Sequence, residues 1–183
     1  MDLASLQQQL QQPKLAPVEQ WDPPFCGDLP LRIDSQGRWW YQDGEITRPG
    51  LIKLFASVLI RQGDDYFLQT PIEKVRIQVE DAPFIAVSSD WQDGSTGPEL
   101  WLTTNLQDKI PVCADYPLLL QQHGGQKLPY LMLWRGLSAR LHRNLYYQLL
   151  NQAQLQQDAA GSKALLYSGG QPYLLASADE PPG

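Results

Sequence analysis

The residues best equipped to bind something are cations. Arg135, Arg140 and Arg143, with His142, form the densest basic cluster in the chain. An arginine fork offers two parallel donors to a phosphate or carboxylate. The run SARLHRNLYYQLLNQAQLQQ reads as a helix with Ser138 as its hydroxyl cap, which puts Arg140 in the first turn. A cation there opposes the helix dipole by roughly 0.3–1 kcal/mol. No acid from Ser138 to Gln157 offsets it. The run RPGLIKLFASVL reads as another helix, with Thr47 as cap, Arg48 and Pro49 in the first turn and Lys53 one turn on. It too lacks an acid between Thr47 and Ile60. An anion drawn to free N–H groups and arginines would explain both helix starts. A solvated basic face, or pairing with acids such as Glu73, Glu80 or Asp81, explains them as well.

Lys74 and Arg76 are the second candidates. They lie in EKVRIQVE, which alternates with a period of two. That period marks a strand with Val75, Ile77 and Val79 on one face and Lys74, Arg76, Gln78 and Glu80 on the other. The polar face would look at water, at a partner or at a ligand. Trp39, Trp40 and Tyr41 could stack on a base, but adjacent strand residues face opposite ways, so at least one Trp belongs to the core.

No catalytic or metal site is expected. Cys26 and the two histidines have no local base or thiol-lowering group. The spacings CxxC, HExxH, GxxxxGK[ST] and GxSxG are absent from the sequence. No cofactor is implied.

Composition narrows the partners. The chain has 183 residues, 14 Lys+Arg against 20 Asp+Glu, and a net charge of −6. Binding to a nucleic-acid polymer through a global basic field is therefore not expected, and any anion site must be local. The start MDLASLQQQL lacks the basic and apolar regions of a secretory leader, and the apolar runs are too short to span a bilayer. Two distant cysteines do not suggest a disulfide scaffold. The expectation is a cytoplasmic protein.

The elements that must position these residues are mixed. Residues 1–20 form a Gln-rich segment in which Leu3, Leu6 and Leu10 have helical spacing and Pro13 ends the pattern. Hairpins are expected around Asp34–Gly37, Asp93–Pro98 and Gly169–Gly170, and LPYLMLW reads as a strand. At a shift of 91 residues, GEITRPGLIKLFASVL falls on RGLSARLHRNLYYQLL, with Ile46 on Leu137, Thr47 on Ser138 and Leu54 on Leu145. An aromatic strand precedes each helix. Duplication follows: an α+β fold of two related domains, each an antiparallel sheet with a packed helix. The expected boundaries are 1–20 for the N-terminal segment, 21–82 and 83–177 for the domains, and 178–183 for a tail.

FCGD, KLFASVL, TPIEKVRIQVEDAPF, TTNLQD and PYLMLWRGLSARL together resemble the bacterial domain-of-unknown-function family 1285 over roughly residues 25–150. The resemblance implies a duplicated core and a C-terminal domain superficially like pleckstrin homology folds. It also implies a small-ligand site at the domain interface, nucleotide-like in its ligand, and a role in signal transduction. The leading expectation is thus a non-enzymatic regulatory protein binding an anionic small molecule there through Arg48, Lys53, Lys74, Arg76, Arg135, Arg140 and Arg143. The alternative is a protein–protein interaction module without a small-molecule ligand, and a third reading is an enzyme of unrecognised type.

Overall fold

The computed structural model describes residues 2–9 and 16–179. Leu10, Pro13 and the tail from Glu180 onward, named in the sequence reading, lie outside the described residues. The chain divides into two units. One comprises residues 1–83 with 135–137, the other 84–134 with 138–183.

The first unit begins with α1 (Leu3–Gln9), whose Leu6 is buried. It continues with β1 (Phe25–Ile33), β2 (Trp39–Tyr41), β3 (Gly44–Ile46), α2 (Pro49–Ala56), β4 (Leu59–Gln62), β5 (Asp65–Gln69) and β6 (Lys74–Val79). The sheet order is β3-β2-β1-β6-β5-β4. Two antiparallel three-strand meanders therefore meet at one parallel pair, β1 with β6. Trp39 on β2 is buried and stacks on Phe55 of α2 at 6.3 Å. Trp40 turns the other way, where its indole donates to Asp34.

Proline in a central strand needs an accommodation, because it has no N–H for the ladder. Pro30 gets one from irregular pairing: the β1–β6 register shifts on both sides of Asp28, up to Arg32. Gly27 contributes a φ of 99°, open to glycine and costly for other residues. Through and past the irregularity Leu29, Leu31 and Ile33 are buried.

The second unit contains β7 (Phe84–Gly94), β8 (Gly97–Thr104), β9 (Lys109–Pro111), β10 (Leu118–His123), β11 (Gln126–Met132) and β12 (Ser138–Leu141). Their order is β10-β11-β12-β7-β8-β9, again two meanders joined at a central parallel pair, β12 with β7. Then follow α3 (Arg143–Gln152), β13 (Gln154–Asp158), β14 (Gly161–Ser168) and β15 (Gln171–Asp179), the last three forming a separate antiparallel sheet. The buried Ser168 hydroxyl ties this sheet down: it accepts from the Leu100 N–H at 2.9 Å and donates to the Val112 carbonyl at 2.7 Å. The two units are thus related α+β domains. Each six-stranded sheet is mixed, not wholly antiparallel, because of its central pair. Among the described residues no helix is long and apolar enough to cross a membrane.

The repeat lies in the sheets and not in the helices, which corrects the 91-residue alignment. α2 links the edge strands β3 and β4, whereas α3 follows β12 and leads into β13. The helix predicted from Ser138 starts at Arg143, and Ser138–Leu141 is a strand. Leu137, Ala139 and Leu141 are all buried. That alternation was present in the sequence, and it wins over the helical reading because β12 completes the sheet against β7. His142, not Ser138, caps α3, its ring nitrogen accepting from the Asn144 N–H at 3.2 Å. At α2 the cap position is Arg48, not Thr47. Pro49 occupies the first helical position, and the residue before a proline is held extended, so Arg48 must be the flanking residue. The predicted helix end NQAQLQQ is largely β13.

In β6 Val75 and Ile77 are buried, Val79 is partly covered, and Gln78 is exposed. Ile77→Asp should destabilise the chain by at least ~3 kcal/mol, because its carboxylate would be buried unpaired. Gln78→Ser should stay within ~0.5 kcal/mol of the parent in a urea titration. Equal stability of the two variants would refute the assigned faces.

Asp34 organises the β1–β2 turn. Its carboxylate accepts from the N–H groups of Gln36 and Arg38, the Arg38 guanidinium and the Trp40 indole, all within 3.0 Å. Burial alone would raise its pKa, but these donors more than offset that and hold it below the usual aspartate range. The folded pKa is depressed, so the contribution is present above the unfolded value of about 3.9 and is lost as pH falls through the folded value. Asp34→Asn should cost roughly 1.5–3 kcal/mol at pH 7. The gap from the parent should narrow only below about pH 3.9, as followed by denaturant melts across pH.

Candidate anion site

On the polar face of β6, Arg76 looks at acids on both neighbouring strands. Arg76 lies opposite Asp28 in the parallel register and grips it through two donors, at 2.6 and 3.1 Å. The same guanidinium lies 3.8 Å from Asp65 and 5.7 Å from the Phe25 ring centre. Hydrogen bonding to Arg76 holds the Asp28 carboxyl below its ordinary range. Farther along, Glu80 accepts from Arg32 at 2.7 Å. These pairs line an open groove of about 860 Å³ whose wall holds five carboxylates, Asp28, Asp43, Asp64, Asp65 and Glu80, against two arginines. Its net charge repels an anion.

A smaller cavity of about 290 Å³ in the same unit has the opposite balance. Arg61, Lys74 and Arg135 line it, against Glu19 and Asp22, with Trp21 as an apolar wall. Three sequence segments place these cations. Lys74 opens β6, where its Nζ donates to Gln62 and lies 4.4 Å from the Phe67 ring centre. Arg61 extends from β4 over the Tyr66 ring at 5.5 Å, donates to the Gly63 carbonyl at 2.9 Å and lies 3.7 Å from Asp64. Arg135 comes from a tight turn in which both it and Gly136 are left-handed, with φ of 56° and 72°. The turn presses on β4: a Cβ at residue 136 would lie 3.3 Å from both the Cβ and the carbonyl oxygen of Arg61. Glycine is therefore favoured there on two grounds, backbone conformation and space.

Arg135 is the most constrained cation. Its guanidinium donates to the Ser57 carbonyl at 2.7 Å, to the Ala16 carbonyl at 2.9 Å and to Glu19 at 2.6 Å. Hydrogen bonding to Arg135 holds the Glu19 carboxyl below the ordinary glutamate range. The Glu19 backbone is held independently, because the buried Gln69 amide donates to the carbonyls of Val18 and Trp21 at 3.0 and 2.8 Å.

Of the seven cations singled out from sequence, Lys74 and Arg135 line this cavity, and Arg76 lines the acidic groove. Arg48 is exposed at the start of α2, and Lys53 lies in its last turn, where a cation favours the helix dipole instead of opposing it. Arg140 lies in β12, not in a helix, and reaches the Leu141 carbonyl at 3.5 Å. Arg143 is the first residue of α3 and lies against Tyr147, 5.5 Å from the ring centre, donating to its hydroxyl at 3.3 Å. Arg61 and Trp21 were missed from sequence. Their only signal is proximity to turns and prolines, which does not distinguish them from loop residues.

Two related α+β domains, each built on two meanders joined at a parallel pair, with a small cation-lined cavity in the first, define a duplicated two-domain protein. The chain belongs to the DUF1285 family. Residues 16–82 match the domain of unknown function (DUF1285), N-terminal domain, and residues 83–175 match the protein of unknown function (DUF1285), C-terminal domain. The crystal structure of a DUF1285 family protein from Silicibacter pomeroyi DSS-3 is 32% identical, with a TM-score of 0.84 over 96% of this chain and 95% of that one. A second DUF1285 family structure, from Shewanella baltica OS155, is 32% identical, with a TM-score of 0.54 over 69% of this chain and 94% of that one. Comparison with curated proteins gave no significant match.

Arg135→Ala should destabilise the fold by roughly 1.5–3 kcal/mol, because it leaves two backbone carbonyls and a carboxylate without their charged donor. Urea unfolding measures this, and an unchanged midpoint would show that these bonds do not support the first unit.

Proposed function

We propose that this chain is a cytoplasmic, non-enzymatic regulatory protein that binds an anionic small molecule, nucleotide-like in carrying phosphate, in the cavity lined by Arg61, Lys74 and Arg135. The observation that carries the reading is Lys74. Its ammonium meets only a neutral amide and an aromatic ring among the described residues, so its charge lines the small cavity without a carboxylate paired to it. Arg61 and Arg135 add donors suited to phosphate oxygens. Trp21 supplies an apolar surface for the rest of a ligand. The volume suits a metabolite or part of a nucleotide, not a polymer. A role in signal transduction fits a protein whose state is occupied or empty and which carries out no reaction.

A second reading, a docking surface for a protein partner, is favoured by Phe25 and Ile72, apolar side chains 54% and 63% exposed in the same unit. A thermal-shift screen of phosphate, nucleotides and phosphorylated metabolites should raise the melting temperature for the preferred ligand. For that ligand, Lys74→Ala should weaken binding by roughly 1.5–3 kcal/mol in calorimetry with the fold retained. Unchanged affinity would remove the cavity from the argument and put the docking surface ahead.

A further inference from the structure

The bidentate edge of Arg135 is already occupied, and by a carboxylate of this chain. Glu19 lies on Nε at 2.6 Å and near Nη2 at 3.4 Å, the side-on geometry that a phosphate or carboxylate ligand would itself take. The rest of the guanidinium does not depend on Glu19. Nη1 is held by the Ser57 carbonyl, and Nη2 also by the Ala16 carbonyl. The fork would keep its place if Glu19 left.

Glu19 is free to leave. Its side chain is 65% exposed, whereas that of Arg135 is 15% exposed. Its backbone stays in place through the Gln69 bonds to Val18 and Trp21 and through the buried Val18 side chain. Departure is therefore a rotation of one exposed side chain and leaves the turn folded. An exposed ion pair contributes little to stability, so its loss is a small opposing term.

We infer that Glu19 is a resident competitor: its carboxylate caps Arg135 in the empty protein, and a phosphate group displaces it when it enters the cavity. The inference rests on the anion-binding reading and adds a regulatory element to it. With Glu19 in place, three cations face two carboxylates, Glu19 and Asp22. With Glu19 turned out, three cations face one, a balance that fits a phosphate dianion. The device sets a threshold: weak monoanions fail to displace Glu19, and a dianion that also meets Lys74 succeeds.

The test uses the full chain and inorganic phosphate, with acetate as the monocarboxylate arm, measured by calorimetry. Glu19→Gln should bind phosphate about three- to tenfold more tightly than the parent, with nearly unchanged urea stability. Asp22→Asn removes a carboxylate from the same cavity without freeing Arg135, so it should gain clearly less. In the parent, saturating phosphate should shift the Arg135 Nε–H resonance, and in Glu19→Gln acetate should begin to bind. If Glu19→Gln does not fold, Glu19→Asp, whose shorter side chain holds the fork less well, should show a smaller gain of the same sign. Phosphate binding by the parent that Lys74→Ala weakens, with no gain in Glu19→Gln or an equal gain in Asp22→Asn, would overturn the competitor and leave the site standing. Phosphate binding by none of the variants would overturn the site as well.

Discussion

Everything in the first unit hangs on the parallel pairing of β1 with β6. Parallel neighbours cannot be joined by a tight turn, so the chain must travel away and return. Here the excursion is itself structured, because β2, β3, α2, β4 and β5 flank the pair on both sides. The closing strand β6, last of this sheet in sequence, has neighbours on both edges. Its buried Val75 and Ile77 set the register, since a slip of one residue would put Lys74 and Arg76 into the core. The same pairing brings Asp28 beside Arg76 and puts Lys74 in the wall of the small cavity. β7 and β12 repeat the solution in the second unit.

The pairing also explains why the basic residues looked unattended in the sequence. Reading outward from each arginine along the chain finds few acids. Across strands, the acids are there: Asp28 for Arg76, Glu80 for Arg32, Glu19 for Arg135. These partners are separated by long stretches of sequence and meet only once the sheet and the Arg135 turn have formed. A helix reads its charges locally, three and four residues apart; a strand reads them from its neighbours.

This difference decides how much was legible. The alternation in EKVRIQVE identified β6 and its two faces, and turn residues located the hairpins at Asp34–Gly37 and Gly169–Gly170. Leu137, Ala139 and Leu141 carry the same alternation, but the helical spacing of the following leucines absorbed them into α3. Ser138, a good cap by residue type, is instead a buried strand residue. The duplication was legible as a fact and misplaced in register, because amphipathic helices resemble one another more readily than short strands do. Of the site, Lys74 and Arg135 were visible as cations. Their convergence with Arg61 and Trp21 was not, because it depends on a left-handed turn at Arg135 that nothing but Gly136 foreshadows.

That turn also shapes the small cavity. A non-glycine residue in the left-handed region is strained, and strain of this kind persists only where its surroundings enforce it. At Arg135 the enforcement is visible: two carbonyls and a carboxylate hold the guanidinium, and Gly136 admits the backbone against Arg61. The result brings two arginines and a lysine to one small cavity in a chain of net charge −6. Like charges gathered in this way repel. A fold needing only an anchor for residues 135–137 could use an apolar side chain, as it does with the buried Leu137. Along β1 and β6 the chain neutralises its arginines with acids, Glu80 for Arg32 and Asp28 for Arg76. At Lys74 it does not, and the cation is left to an amide and a ring. An arrangement that is strained at one residue and under-neutralised at another is the kind that an incoming anion stabilises, and it is on this ground that the cavity, rather than the larger acidic groove, is the place to look for a ligand.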